Sequence, residues 1–98
     1  MPAYLMSVFH PAADADPADM QERYPQAVTQ LVDAFDGRYL LRHAEARTIE
    51  GTWTPGHIVL VEFPSMSRLL EFYESDEYRP WLELRQRSGD TDIVVSHD

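Results

Sequence analysis

Glu62 is the side chain in this sequence most suited to acid–base chemistry. It lies in an otherwise apolar run, His57 to Phe63, whose β-branched and aromatic composition predicts a central strand. A carboxylate in such a strand needs a partner or loses its charge. Arg38 and Arg42 precede it on the strand that a hairpin joins to this one, so one of these guanidinium groups is the expected partner.

Two interpretations of this acid and its arginine stay open. In the first, Glu62 removes a proton next to a carbonyl and Arg42 stabilises the oxyanion that forms. In the second, the two groups are a structural ion pair that supports a dimer. The register of the hairpin decides which face each side chain occupies, because a slip of one residue reverses it.

The histidines offer a second source of proton-transfer groups. The predicted topology brings His10, His43 and His57 to the same end of the sheet. Their spacing contains neither His-x-His nor His-x-x-x-His, and no acidic ligand accompanies them, so the sequence predicts no metal site and no cofactor. His43 follows Arg42 directly and is a candidate for shuttling a proton, although an exposed histidine at a strand end is the simpler interpretation.

Several large side chains are candidates for contact with a substrate. Trp53 and Tyr78 fall outside the main strands, where aromatic rings either wall a pocket or pack in the core. Tyr4 and Tyr39 can turn their hydroxyl groups into a cavity or towards solvent. The predicted substrate-binding residues are Arg38, Tyr39, Tyr4, Trp53 and Tyr78.

These residues are positioned by a predicted βαββαβ order. Asp16-Pro17 can begin the first helix, Pro25 bends it, and Asp36-Gly37 ends it with glycine in the left-handed conformation. Ser65 and Ser75 can cap the helical segments that follow the third strand. The predicted strands are Ala3 to Phe9, Arg38 to Ile49, His57 to Phe63 and Thr91 to Ser96.

This order predicts the α+β class with a ferredoxin-like, four-stranded antiparallel sheet and its helices on one side. The 98 residues fit a single domain spanning 1–98, with a core small enough to favour self-association. The other sheet face stays bare and apolar, so we expect it to meet a second copy in a homodimer.

Composition restricts the class of partner. Seventeen acidic residues against eight basic ones give a net charge of -9, which repels nucleic acid and anionic membranes. There is no cysteine, and no apolar run is long enough to span a bilayer. We therefore expect a cytoplasmic protein that binds a small molecule, with neither nucleic acid nor membrane as a partner.

Four spaced fragments of the chain form a recognisable combination: Gly37 to Arg42, Glu50-Gly51, Val61 to Ser65 and Phe72 to Tyr78. Together they resemble the thirteen-thirty family of domains of unknown function, which belongs to the dimeric α+β barrels. Asp16-Pro17, Tyr24 and Arg85 also fit that pattern. Asp36 departs from it by replacing a glycine before Gly37, and His43-Ala44 replaces the glycines that usually follow Arg42.

The resemblance implies a dimeric barrel more directly than it implies a reaction. Similar barrels include cofactor-free monooxygenases, muconolactone isomerase, polyketide cyclases and a haem-binding branch. By analogy, the chain is expected to be a cofactor-independent isomerase, cyclase or monooxygenase that acts on a small carboxylated or aromatic metabolite in the barrel pocket. The alternatives are a small-molecule-binding module without catalysis and a purely structural dimer.

Overall fold

A computed structural model describes residues 1–98 and confirms the predicted fold class. The four strands form one antiparallel sheet in the order β2-β3-β1-β4. A π-helical segment, Asp19–Arg23, runs directly into the first α-helix. The elements are β1 (Ala3–Pro11), α1 (Tyr24–Ala34), β2 (Arg38–Glu45), β3 (His57–Phe63), α2 (Met66–Tyr73), α3 (Arg79–Ser88) and β4 (Gly89–His97).

The core lies between one face of the sheet and the helices. Successive side chains of a strand point to opposite faces, so alternate residues of β1 and β3 meet the apolar stripes of α1 and α2. This packing buries side chains from all four of these elements. The buried core consists of Ala3, Leu5, Val28, Val32, Val61, Phe63, Leu69, Phe72 and Tyr78.

Short polar side chains accept backbone hydrogen bonds before the helical segments, and Ser65 caps α2 itself. The Asp16 carboxylate accepts a hydrogen bond from the Ala18 amide at 3.0 Å, and Ser65 Oγ accepts one from the Arg68 amide at 3.1 Å. Ser75 Oγ accepts from the Tyr78 amide at 3.2 Å, just before α3. The π-helical segment ends immediately before Tyr24-Pro25, where the missing amide of proline interrupts the regular hydrogen-bond ladder.

The end of α1 corrects one expectation. The left-handed residue is Asp36, with φ of 65°, and not Gly37. The Gly37 amide bonds the Val32 carbonyl at 2.8 Å and the Asp36 amide bonds the Asp33 carbonyl at 3.0 Å, which is a Schellman ending. Gly37 is needed for packing, because a Cβ there would lie 2.7 Å from a ring carbon of Phe63.

Strand β2 is shorter and less regular than predicted. It ends at Glu45 rather than at Ile49, and its pairing with β3 shifts twice. Tyr39 pairs with Val61 but Leu41 pairs with Leu60, so β2 carries one extra residue at this point. An extra residue reverses the alternation of side chains, so residues after it face the side opposite to the one that a regular strand predicts.

The sheet face opposite the helices carries an apolar row that crosses all four strands. Leu41 pairs with Leu60, Leu60 with Met6, and Met6 with Val94. Val94 is 57% exposed and Leu41 is 37% exposed, so the chain's own helices leave this row uncovered. The next row is polar and contains Arg38, Glu62, Tyr4 and Ser96. Among the helices, none combines the length and the apolar character that a bilayer crossing requires.

Candidate functional site

The largest feature of the molecule that can hold a ligand is a cavity of about 970 Å³ between the sheet and its helices. Its walls come from the covered faces of β1, β2 and β3 and from the helical residues packed over them. Apolar side chains form much of the lining, and a few polar groups from distant parts of the chain converge on it. This combination of size and lining is typical of pockets that bind small organic molecules.

One polar group in the cavity consists of Tyr24, Tyr78 and Arg85. The two phenol oxygens lie 2.6 Å apart and share a hydrogen bond, with their rings edge to face. Arg85 is only 5% exposed, and its Nε and Nη2 atoms are buried without a hydrogen-bond partner. The chain therefore places a guanidinium group and two hydroxyl groups together in one part of the cavity wall.

The protonation states of these groups follow from their surroundings. Burial, reinforced by the Tyr78 hydroxyl, raises the pKa of Tyr24 well above its ordinary value, so this phenol stays neutral. Burial alone lowers the pKa of Arg85, but the adjacent hydroxyls of Tyr78 and Tyr24 outweigh this effect and the pKa lies above its usual value. The group therefore combines a neutral phenol donor, Tyr24, with a fixed positive charge.

A second polar group comes from the irregular part of β2. Arg42 and His43 are neighbours in sequence, yet both line the cavity, together with His57 of β3. The His43 and His57 rings stack with their centroids 4.5 Å apart. The Arg42 guanidinium lies 4.2 Å from the centre of the Tyr39 ring, and its Nη1 lies 3.4 Å from Thr29 Oγ1.

The backbone of His43 explains how the strand presents this group. Its φ is 50°, the left-handed region that residues with a Cβ rarely adopt. Glycine is the usual residue in such a conformation, so the replacement of glycine noted above falls where glycine is favoured. His43 therefore places an imidazole in the cavity at a cost in backbone strain of about 1–2 kcal/mol.

The predicted pairing of Glu62 with Arg42 is wrong. Glu62 Oε1 lies 2.7 Å from Arg38 Nε on the uncovered face, whereas Arg42 lines the cavity on the opposite face. The extra residue in β2 after Tyr39 separates them, because it reverses the side on which Arg42 emerges. Glu62 and Arg38 line a separate, open depression of about 320 Å³.

The other predicted residues divide between the same two faces. Tyr39 and Tyr78 line the cavity, as do the histidines His10, His43 and His57. Tyr4 lies beside Glu62 on the uncovered face, where partial burial and the carboxylate raise its pKa. Trp53 is 50% exposed in the loop between β2 and β3 and is not part of the cavity wall.

Two cavity residues, Tyr24 and Arg85, were missing from the predicted site. Tyr24 belongs to the apolar face of the first helix and reads as a core residue. Arg85 follows Trp81 and Leu82 by four and three residues, so it lies on the same helix face as these two side chains. A charged residue at such a position is the signal in the sequence that could have identified it.

Replacing Tyr24 with phenylalanine is expected to change the alkaline stability of the protein. The folded state holds the Tyr24 proton above pH 10, whereas the unfolded chain releases it near its ordinary pKa of about 10. The free energy of unfolding therefore falls as pH rises above about 10, with this residue contributing about 1.4 kcal/mol per pH unit. For Tyr24→Phe, the free energy of unfolding, measured with urea between pH 9 and 12, should fall less steeply with pH than in the wild type, by about 1.4 kcal/mol per pH unit. The same slope in both proteins would contradict the raised pKa of Tyr24.

Comparison with known proteins identifies the sequence family. The sequence model described as Domain of unknown function (DUF1330) matches residues 2–97. No curated protein sequence matches the chain.

Solved structures with similar folds share little sequence with the chain. RPA0582, a protein of unknown function from Rhodopseudomonas palustris, has a TM-score of 0.75 and 15% identity, with 99% of this chain and 82% of that chain covered. A dimeric ferredoxin-like protein of unknown function from Jannaschia sp. CCS1 has a TM-score of 0.64 and 12% identity, with both chains covered in full (100%). The hydroxynitrile lyase of Passiflora edulis has a TM-score of 0.73 and 8% identity, with 97% of this chain and 91% of the lyase covered. At these identities the likeness concerns the fold.

Proposed function

We propose that this chain, which belongs to the DUF1330 family of domains of unknown function, binds a small organic molecule in the interior cavity and catalyses a proton-transfer reaction on it without a cofactor. The observation that carries the proposal is the cavity of about 970 Å³, in which imidazole, phenol and guanidinium groups converge between apolar walls. Isomerisation and cyclisation are the reaction types that such groups suit best.

In this proposal the groups at β2 perform the chemistry. The imidazole of His43, stacked on that of His57, takes a proton from a carbon next to a carbonyl. Arg42, which lines the same cavity, stabilises the enolate oxygen that develops. The Glu62 carboxylate takes no part, because it is bonded to Arg38 on the other face of the sheet.

The fold is compatible with small-molecule catalysis. The Passiflora edulis protein of similar fold is a hydroxynitrile lyase. This is an argument by analogy about the fold, since the two chains share 8% identity.

The proposed active form is a homodimer in which two copies cover their apolar rows. Met6, Leu41, Leu60 and Val94 cross the whole sheet on the face without helices. Burying this row removes apolar surface from water, which is the main driving force of association. The similar Jannaschia protein is described as dimeric, which supports the same arrangement here.

A binding module without turnover is the second candidate function. The observation that favours it is the Arg38–Glu62 ion pair of 2.7 Å, which keeps the only carboxylate of β3 away from the cavity. Such a module would hold the same class of molecule in the same place. The two functions therefore differ in turnover and not in binding.

Hydrogen–deuterium exchange into bound compounds separates the two candidates without knowledge of the product. Thermal-shift screening of small carbonyl compounds identifies those that the protein binds. Proton NMR in D₂O then shows whether the protein accelerates exchange at the carbon next to the carbonyl. Binding with accelerated exchange is expected; binding without exchange would favour the binding module, and no binding by any compound would overturn the proposal.

Substituting His43 by glycine and by alanine tests the role of this residue. Both variants lose the imidazole and should slow the exchange about 100-fold. His43→Gly should be more stable than His43→Ala by about 1 kcal/mol, because only glycine adopts the left-handed backbone without strain. Urea unfolding measures the second effect. Exchange that stays at the wild-type rate in both variants would exclude His43 from the chemistry.

A further inference from the structure

The least compensated charge in the molecule is the guanidinium group of Arg85. The side chain is 5% exposed, and its Nε and Nη2 atoms are buried without any hydrogen-bond partner. The residue lies on α3 and contributes to the wall of the interior cavity. Buried donors without partners are rare in folded proteins, so this pair requires an explanation.

The protein supplies no ion-pair partner for this group. Its ion pairs join Asp19 to Arg23, Glu62 to Arg38, and both Asp36 and Glu71 to Arg68. None of them includes Arg85, although the chain carries a net charge of -9. Burying a lone positive charge is costly, and an anion bound beside it offsets part of that cost.

The geometry of the free donors indicates which anion fits. Nε and Nη2 form one edge of the planar guanidinium group, and two parallel donors on an edge match the two oxygens of a carboxylate. Tyr24 and Tyr78 are adjacent, and since one hydroxyl donates to the other across 2.6 Å, one O–H remains to donate to a ligand oxygen. The apolar walls of the cavity suit the hydrocarbon part of an organic acid.

We infer that Arg85, together with the hydroxyl pair of Tyr24 and Tyr78, binds the carboxylate of a small organic acid in the cavity. This inference rests on the proposed function and narrows its substrate class to carboxylic acids. The carboxylate is held by α1 and α3, and the remainder of the molecule extends along the cavity towards the proton-transfer groups of β2. A single buried arginine suits a carboxylate better than a phosphate dianion, which carries a second charge.

Paired ligands that differ only in charge test this assignment. The probes are benzoate with benzamide and hexanoate with hexanamide, each titrated into the wild-type protein and followed by calorimetry. We expect the acid of at least one pair to bind about 50-fold more tightly than its amide, because the uncharged amide offers one acceptor oxygen where the carboxylate offers two and a negative charge. Inorganic phosphate is the competing anion and should bind more weakly than either acid.

Two variants of Arg85 identify the group responsible. Arg85→Met keeps the approximate length of the side chain and should bring the affinity for the acid down to that for its amide. Amide binding that remains measurable in this variant shows that the cavity is intact. Arg85→Lys keeps the charge but loses the two-donor edge, and should retain only part of the preference.

The outcomes separate this inference from the proposed function. Three results would refute the carboxylate site but leave the cavity as a binding site. They are a preference for acid over amide that survives in Arg85→Met, no such preference in the wild type, and tighter binding of phosphate than of either acid. Failure of all four organic probes to bind the wild-type protein would overturn the cavity as a binding site, and with it both proposals.

Discussion

Leu60→Glu is expected to leave the protein monomeric at concentrations at which the wild-type chain is a dimer. Leu60 lies on β3 near the centre of the uncovered apolar row, with Leu41 on one side and Met6 on the other. A two-fold dimer through this face buries the position in both subunits, so each dimer acquires two buried carboxylates. Neither carboxylate gains a basic partner from the row, which is apolar.

The size of the effect follows from the cost of burying a charge without a partner. At several kcal/mol for each carboxylate, a loss of about 4 kcal/mol is a conservative figure for the dimer. Since 1.4 kcal/mol is a factor of ten, the dissociation constant should rise about a thousandfold. Sedimentation equilibrium at protein concentrations from 1 to about 100 times the wild-type dissociation constant measures this change.

Thr52→Glu is the matched control for this experiment. Thr52 is exposed in the loop between β2 and β3, so it receives the same charge without entering the apolar row. We expect this variant to dimerise as the wild type does. A Leu60→Glu variant that stays dimeric with unchanged affinity would show that the apolar row is not the interface, and a wild-type chain that is monomeric at micromolar concentration would exclude the dimer itself.

Leu60→Glu also tests which side of the sheet holds the ligand. The cavity lies between the sheet and the helices, so its lining comes from one chain and faces away from Leu60. A folded Leu60→Glu monomer should therefore still bind the organic acids. Loss of binding together with loss of the dimer would instead place part of the site at the interface.

The features that the sequence predicted correctly have local causes. Asp16 and Ser65 have the short oxygen-bearing side chains that cap helices, and both accept the backbone hydrogen bonds that this role requires. Ser75 accepts one from Tyr78 in the turn before α3, which itself begins without a side-chain cap. The order of strands and helices follows from apolar periodicity and from turn residues. The uncovered apolar row follows in turn, because this order places every helix on one side of the sheet.

The side of the sheet that holds the candidate site could not be predicted in this way. Regular alternation puts Arg38 and Arg42 on one face, and the sequence does not show that β2 contains an extra residue between Tyr39 and Leu41. One such residue transfers Arg42 from the Glu62 face to the cavity. Irregular strand pairing depends on contacts with the neighbouring strand, so it leaves little trace in the local pattern.

Arg85 shows a different limit of sequence reasoning. Its position on an apolar helix face suggests burial, but a buried arginine normally has an acidic partner, and the sequence contains 17 acidic residues that could serve. Only the folded structure shows that none of them does so. The proposed carboxylate site depends on this missing partner, which is a property of the tertiary structure.

Gly89→Ala is expected to destabilise the protein by about 3 kcal/mol or more, which is a severe effect for a chain of this size. A Cβ at Gly89 would lie 2.9 Å from the Cα of Pro11 and closer still to the carbonyl oxygen of His10. Both are backbone atoms of β1, which pairs with the start of β4 at this point. Backbone cannot move aside as a side chain can, so the two strands must separate.

The consequence of this clash should extend to the ligand site. Ser88, the last residue of α3, accepts a hydrogen bond from the Ala12 amide at 2.8 Å, and Arg85 lies one turn earlier in the same helix. Displacing the start of β4 therefore moves the end of the helix that carries Arg85, and Gly89→Ala should weaken the binding of organic acids as well as lower the free energy of unfolding.

Gly51→Ala separates the effect of backbone strain from the effect of the steric clash at Gly89. Gly51 has φ of 101° but no atom within 4 Å of its would-be Cβ, so alanine there introduces backbone strain without a clash. We expect a loss of about 1 kcal/mol and unchanged ligand binding. Urea unfolding and calorimetry on both variants measure the difference; equal losses of stability, or acid binding that stays intact in Gly89→Ala, would show that the close approach of β1 and β4 does not hold α3 and Arg85 in place.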